Sequence, residues 1–179
     1  MAILCFFALT PVGANPYLED PDDRTFDYDD SQDKPWIENE AEIPPPPDPS
    51  TLDELQITGL PPGFTLLLDL ERLAVDPVDR VIRLWLVLRS KEGHDNTSFE
   101  GYRCASGEYR VYAYADPRRD PPVREMTRST WREARGSMAQ NYRRHLLKQT
   151  FCGLRGARTP TEIRQAVRSG ELRDPLIYR

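Results

Sequence analysis

The chain has 179 residues and a formal net charge of -5, enough for one domain plus additional segments. Seventeen prolines and 30% charged residues, against 39% hydrophobic residues, argue against a single all-core globule and for a sizeable unfolded part. The small net charge hides an asymmetry: Asn15 to Glu54 holds 14 acidic and 2 basic residues, whereas Leu55 to Arg179 holds 22 basic and 15 acidic ones. An acidic arm is joined to a basic body.

In chain order, MAILCFFALTPVGANP reads as a secretory signal peptide over residues 1–14. Ala2 to Leu9 is the apolar run, and Val12-Gly13-Ala14 supplies small residues at a cleavage site before Asn15. The run is too short to span a bilayer, so no stable membrane span is expected. No Lys or Arg precedes it, and the alternative is a buried apolar strand. Without the signal, and with it Cys5, two cysteines remain, Cys104 and Cys152. An even pair in an exported chain reads as a disulfide, and two separate buried thiols are the alternative for a chain kept in the cytosol.

Residues 15–54 read as a disordered acidic, proline-rich arm that ends in the polyproline rod IPPPPDPS, Ile43 to Ser50. Trp36 and Ile37 stand out, because apolar residues in a tether dock. The charge split predicts that the arm lies transiently over the basic face of the sheet or helix with Trp36 as its apolar anchor; a solvated spacer is the alternative.

Residues 55–179 read as one α+β domain. Phe64 to Leu70 is apolar enough for a buried strand, and VDPVD, Val75 to Asp79, is a turn. Val81 to Arg89 alternates, with Ile82, Leu84, Leu86 and Leu88 on one face and Arg83, Trp85, Val87 and Arg89 on the other. Thr97 to Cys104 and Glu108 to Ala115 follow as strands across short turns, which makes an antiparallel meander of about four or five strands. In the last strand Glu108, Arg110, Tyr112 and Tyr114 should share a face. Ser137 to Phe151 reads as a helix whose apolar face carries Met138, Tyr142, Leu146, Leu147, Thr150 and Phe151. A second helix opens at Thr159-Pro160-Thr161-Glu162, a capping box, and stops at Gly170. Both helices are expected to pack on the sheet. A helix laid across a sheet brings its end near a strand end, which is where Cys104 and Cys152 stand.

Little familiar chemistry is present. His94 and His145 lack partners at metal-ligand spacing, and no HExxH, phosphate loop or nucleophile elbow occurs, so no metal, cofactor or catalytic residue is assigned. Asn96-Thr97-Ser98 matches a glycosylation sequon, a pattern common by chance. Two polar sets remain. Glu100 shares a strand face with Ser98, Tyr102 and Cys104, and if buried it needs a cation, for which Arg143 and Arg144 are candidates. Arg83, Trp85, Arg103, Arg110, Tyr112 and Tyr114 interleave aromatics with arginines on the opposite face, a composition suited to stacking and anion binding. An exported chain rarely meets nucleic acid, so a glycan or anionic envelope polymer is the expected ligand, unless a helix covers that face.

VIRLWLVLRSKEG, NTSFEGYRC, GEYRVYAYA, the Tyr-Arg-Arg-His helix and Phe151-Cys152 resemble the cryptic neisserial protein family, small exported proteins of Gram-negative bacteria. KPWIENE and the proline run are similar to that family's lead segment, and the resemblance spans roughly residues 35 to 170. It implies an envelope location, a matched cysteine pair and no known cofactor, and it carries over no reaction. The function expected from all this is a non-catalytic periplasmic module that binds an envelope component or a partner protein. The rival is a small periplasmic hydrolase with Glu100 as acid or base, which requires a concave site with a second polar group in reach.

Overall fold

The computed structural model describes residues 35–57 and 59–170. The signal-peptide segment, the acidic stretch up to Lys34 and the last nine residues lie outside the described residues.

The long alternating runs form the centre of an antiparallel sheet. Strands β1 (Asp53–Leu55), β2 (Phe64–Leu68), β3 (Ala74–Val75), β4 (Ile82–Ser90), β5 (Asp95–Arg103), β6 (Glu108–Ala115), β7 (Val123–Glu125) and β8 (Arg132–Glu133) follow in sequence. Their order across the sheet is β1-β2-β4-β5-β6-β7, with β3 also on β4 and β8 also on β6. The meander is therefore present, but with eight strands among the described residues rather than four or five. The additional ones are two or three residues long and share an edge with a longer neighbour, so they carry no periodicity to read.

Period-two patterning sorts the side chains. Ile82, Leu84 and Leu86 meet Leu66, Leu68 and Tyr102 on one face, under Leu146, Leu147 and Phe151 and under Ile163 and Val167 from the two C-terminal helices. Trp85 and Phe99 lie on the other face with Tyr112 and Ala113. The register slips by one residue between Phe99 and Glu100, opposite Ala113 and Val111. This bulge puts two consecutive β6 residues, Tyr112 and Ala113, on the same side and turns Tyr114 away from Tyr112 to pair with Ser98. The expected grouping of Tyr114 with Arg110 and Tyr112 is thereby corrected.

The first helix is shorter than its apolar pattern. Asn141 caps it by accepting from the Arg143 amide while its own amide group donates to the Arg135 carbonyl, so α1 starts at Tyr142 and ends at His145. It continues as a π-helical segment, Leu146–Phe151, all four of whose apolar or Thr positions are buried. A two-strand ladder, β9 (Cys152–Gly153) with β10 (Gly156–Ala157), leads to α2 (Pro160–Ser169). Thr159 and Glu162 close a reciprocal capping box at its start, and Gly170 ends it in the left-handed conformation. Cys104, one residue past β5, and Cys152, at the end of the π segment, form a disulfide with their Cα atoms 5.6 Å apart.

Among the described residues no helix is long and apolar enough to cross a membrane. The arm expected over residues 15–54 is packed against the body from Trp36 onward, and β1 lies within it, so the body begins well before Leu55.

Candidate functional site

Each face of the central strands carries one polar cluster. On the helix face, β5 presents Glu100 with no exposed surface. Its two oxygens accept four hydrogen bonds. Ser98 Oγ donates at 2.7 Å and Arg143 Nη2 at 2.6 Å to Oε1; Tyr102 Oη donates at 2.8 Å and Arg143 Nε at 2.9 Å to Oε2. The arginine is thus bidentate, and its guanidinium lies against the rings of Tyr109 and Tyr142, at 4.5 and 4.7 Å. Arg144 instead donates to the Ala134 carbonyl. Burial works against the charge on Arg143, but its bonds to Glu100 outweigh burial and raise its pKa. Burial and the Glu100 charge push the Tyr102 phenol up as well, so it stays a donor. With every lone-pair direction occupied and no solvent contact, Glu100 is a clamp between β5 and α1. It lacks the open face that an acid or base needs to meet a substrate.

On the opposite face the arginine–aromatic set is present, but it is neither bare nor covered by a helix. It lies under the chain's own segment Trp36–Pro44, which runs across it as an irregular strap. The strap alternates: Trp36 and Glu38 point in, while Ile37 is 77% exposed and does not dock as expected. The Glu38 carboxylate receives Tyr112 Oη at 2.5 Å and Arg83 Nη2 at 3.5 Å on Oε1. On Oε2 it receives Arg110 Nη1 at 2.5 Å and Trp131 Nε1 at 2.9 Å. Trp36 lies against the Arg103 guanidinium, 3.9 Å from its ring centroid, and makes a T-shaped contact with Trp131 at 5.7 Å. Its indole N–H donates to the Asp79 carbonyl oxygen. Asn39 binds Asp79 through its backbone N–H and Asp76 through its side chain. Further along, Trp85 Nε1 donates to the Pro44 carbonyl, while Ala41 and Ile43 pack on the apolar patch formed by Trp85, Phe99 and Tyr112.

The cradle is built by the sheet. Arg83, Gly101 and Arg110 lie side by side on β4, β5 and β6, and Gly101 leaves the space that the Tyr112 phenol fills. Asp79 holds Arg83 from below at 2.6 Å. Burial, then the Glu38 bond, raises the Tyr112 pKa, so this phenol too remains a donor. Arg103 also faces Glu108 at 3.6 Å.

Of the residues singled out by sequence, Arg103, Arg110, Tyr112 and Trp85 come together here, although Trp85 is fully buried and reaches only the strap. Glu100 sits on the other side of the sheet. Glu38, Trp131, Asn39 and Asp79 were not anticipated. Glu38 had one visible signal, its place two residues after Trp36, which puts both on one side of an extended chain. Among the described residues no group of three or more His, Cys, Asp and Glu is arranged to hold a metal ion.

A family model, that of the CNP1-like family, matches residues 31–169, a span that contains the strap, the sheet, the disulfide and both C-terminal helices. No curated protein and no solved structure matches the chain. With most of its length under that model, the chain belongs to the CNP1-like family.

Proposed function

We propose that this protein is an exported, non-catalytic interaction module of the cell envelope, and that it engages an anionic partner through the arginine–aromatic face of its sheet. The observation that carries the reading is the convergence of Arg83, Arg110, Tyr112 and Trp131 on the single carboxylate of Glu38. Charged and neutral donors aimed at one point in a partly dehydrated site are the equipment for recognising an acidic group. The bond between Cys104 and Cys152 is compatible with an oxidising compartment such as the periplasm. The saturated Glu100 clamp supports a binding role over hydrolysis.

The test is fractionation of a Gram-negative host expressing the full precursor, followed by crosslinking in intact envelopes. The mature chain should appear in the periplasmic fraction with both thiols consumed, and its crosslinked partner should be lost in an Arg110→Ala variant. A cytosolic chain with two reactive thiols removes the location. Crosslinks unaffected by Arg110→Ala remove the face.

A further inference from the structure

Three features separate the strap from an ordinary part of the fold. First, its attachment uses side chains. Residues 36–44 belong to no strand, and among the described residues no backbone–backbone hydrogen bond joins them to the sheet. Every contact to the Glu38 carboxylate comes from a body side chain, and the strap's Asn39 and Pro44 carbonyls also accept from body side chains, Arg83 and Trp85. Second, the body is oversupplied with donors. The Nε–H groups of Arg83, Arg103 and Arg110 are buried with no acceptor. A buried donor without an acceptor is costly, and three on one face mean that the strap leaves recognition capacity unused. Arg83 itself is only 7% exposed, so its unused donor is shielded from solvent. Third, the strap joins β1 through the run Pro44 to Pro47, a stiff connector outside the sheet, so the strap can leave without unpairing a strand. A cleft of about 330 Å³ already opens along it, lined by Glu38 to Ala41 and Ile43 from the strap and by Arg110, Tyr112 and Glu125 among others from the body.

We propose that the sheet face beneath Trp36–Pro44 is a peptide-recognition groove, selective for an extended acidic segment with a tryptophan two residues before a glutamate, and that the strap is its displaceable resident. The specificity follows from the pocket pair. Arg103 and Trp131 form a slot that accepts an indole by cation–π and edge contacts. Arg110, Tyr112 and Trp131 fix a carboxylate beside it. The position between them faces solvent, as Ile37 does, and is unselective. A partner segment with more acceptor oxygens than the strap would engage the idle Nε–H groups and so compete with a tethered occupant. Arginine clusters and aromatic slots are recurring means of capturing acidic and extended peptides. This inference rests on the binding-module reading and names the partner as a protein segment.

The experiment uses the full chain and a labelled peptide of its own residues 34–45, KPWIENEAEIPP. In a Trp36→Ala/Glu38→Ala variant the resident is weakened, so the peptide should bind saturably and at least about tenfold more tightly than to the wild type, whose groove is occupied. The same peptide with Gln in place of its first glutamate should lose at least about tenfold in affinity to that variant. If circular dichroism shows the variant unfolded, the wild type is titrated with peptide above the roughly millimolar effective concentration of the tether, and the indole N–H signals of Trp36 and Trp131 are followed. Displacement moves the Trp36 signal to that of a solvated indole. Concentration-dependent dimers that exchange straps would count as the same groove filled in trans. No saturable binding to a folded variant, equal binding of the Gln peptide, or an unmoved Trp36 signal overturns the inference. Capture of an anionic glycan or polyphosphate by a face that ignores the peptide overturns it too, while leaving the anion-binding module intact.

Discussion

Glu100 illustrates how one residue's surroundings decide between chemistry and architecture. A carboxylate with four donors and no exposed surface gains its stability from being charged and paired. Glu100→Ala leaves the Arg143 guanidinium beside the core without its partner, at an expected cost of about 3–5 kcal/mol, read as a lower urea midpoint. A Glu100→Leu/Arg143→Met double variant should recover much of that loss, because an apolar pair strands no charge. A single variant that melts like the wild type would contradict the clamp. Alternation made the need for a cation legible, since Glu100 shares its face with residues that must point inward. The choice of Arg143 over Arg144 was not, because neighbouring helix residues differ only in direction, and that direction depends on how α1 is rotated over the sheet.

At the scale of elements, the sheet keeps the cradle open by a close approach between β5 and β6. Gly101 is needed for its missing side chain, since a methyl group there would collide with the Tyr112 phenol. Gly101→Ala should cost about 1–3 kcal/mol through this overpacking. Because the displaced phenol loses Glu38, the strap should loosen as well, visible as a shift of the Trp36 fluorescence toward that of a solvated indole. A destabilised variant with unchanged Trp36 emission would detach the strap from Tyr112. Element identity was largely readable: β4 and β5 obey period two, and the α2 capping box is written in consecutive residues. The β6 bulge was not readable. Its one extra residue is a consequence of pairing with β5, and no local pattern in EYRVYAYA announces it.

On the scale of the whole molecule, the disulfide connects the far end of β5 to the end of the π segment across 48 residues. Closing a loop of that length in the unfolded chain is worth about 4 kcal/mol, so reduction should lower the urea stability by about that amount. Reduced and oxidised chains that melt alike would show the crosslink to be incidental. The charge asymmetry has a whole-molecule outcome too, since the acidic segment supplies Glu38 to arginines on two different strands, Arg83 on β4 and Arg110 on β6. By itself the sequence determined the antiparallel meander, the second helix, the cysteine pair and the presence of an arginine–aromatic face, because all of these follow from local periodicity, capping and counting. Only the tertiary structure decided what lies on that face. A strap held by side chains has no periodicity of its own, and its fit to Arg83, Arg103, Arg110, Tyr112 and Trp131 exists only once it folds back over residues 45 to 93 positions further along the chain.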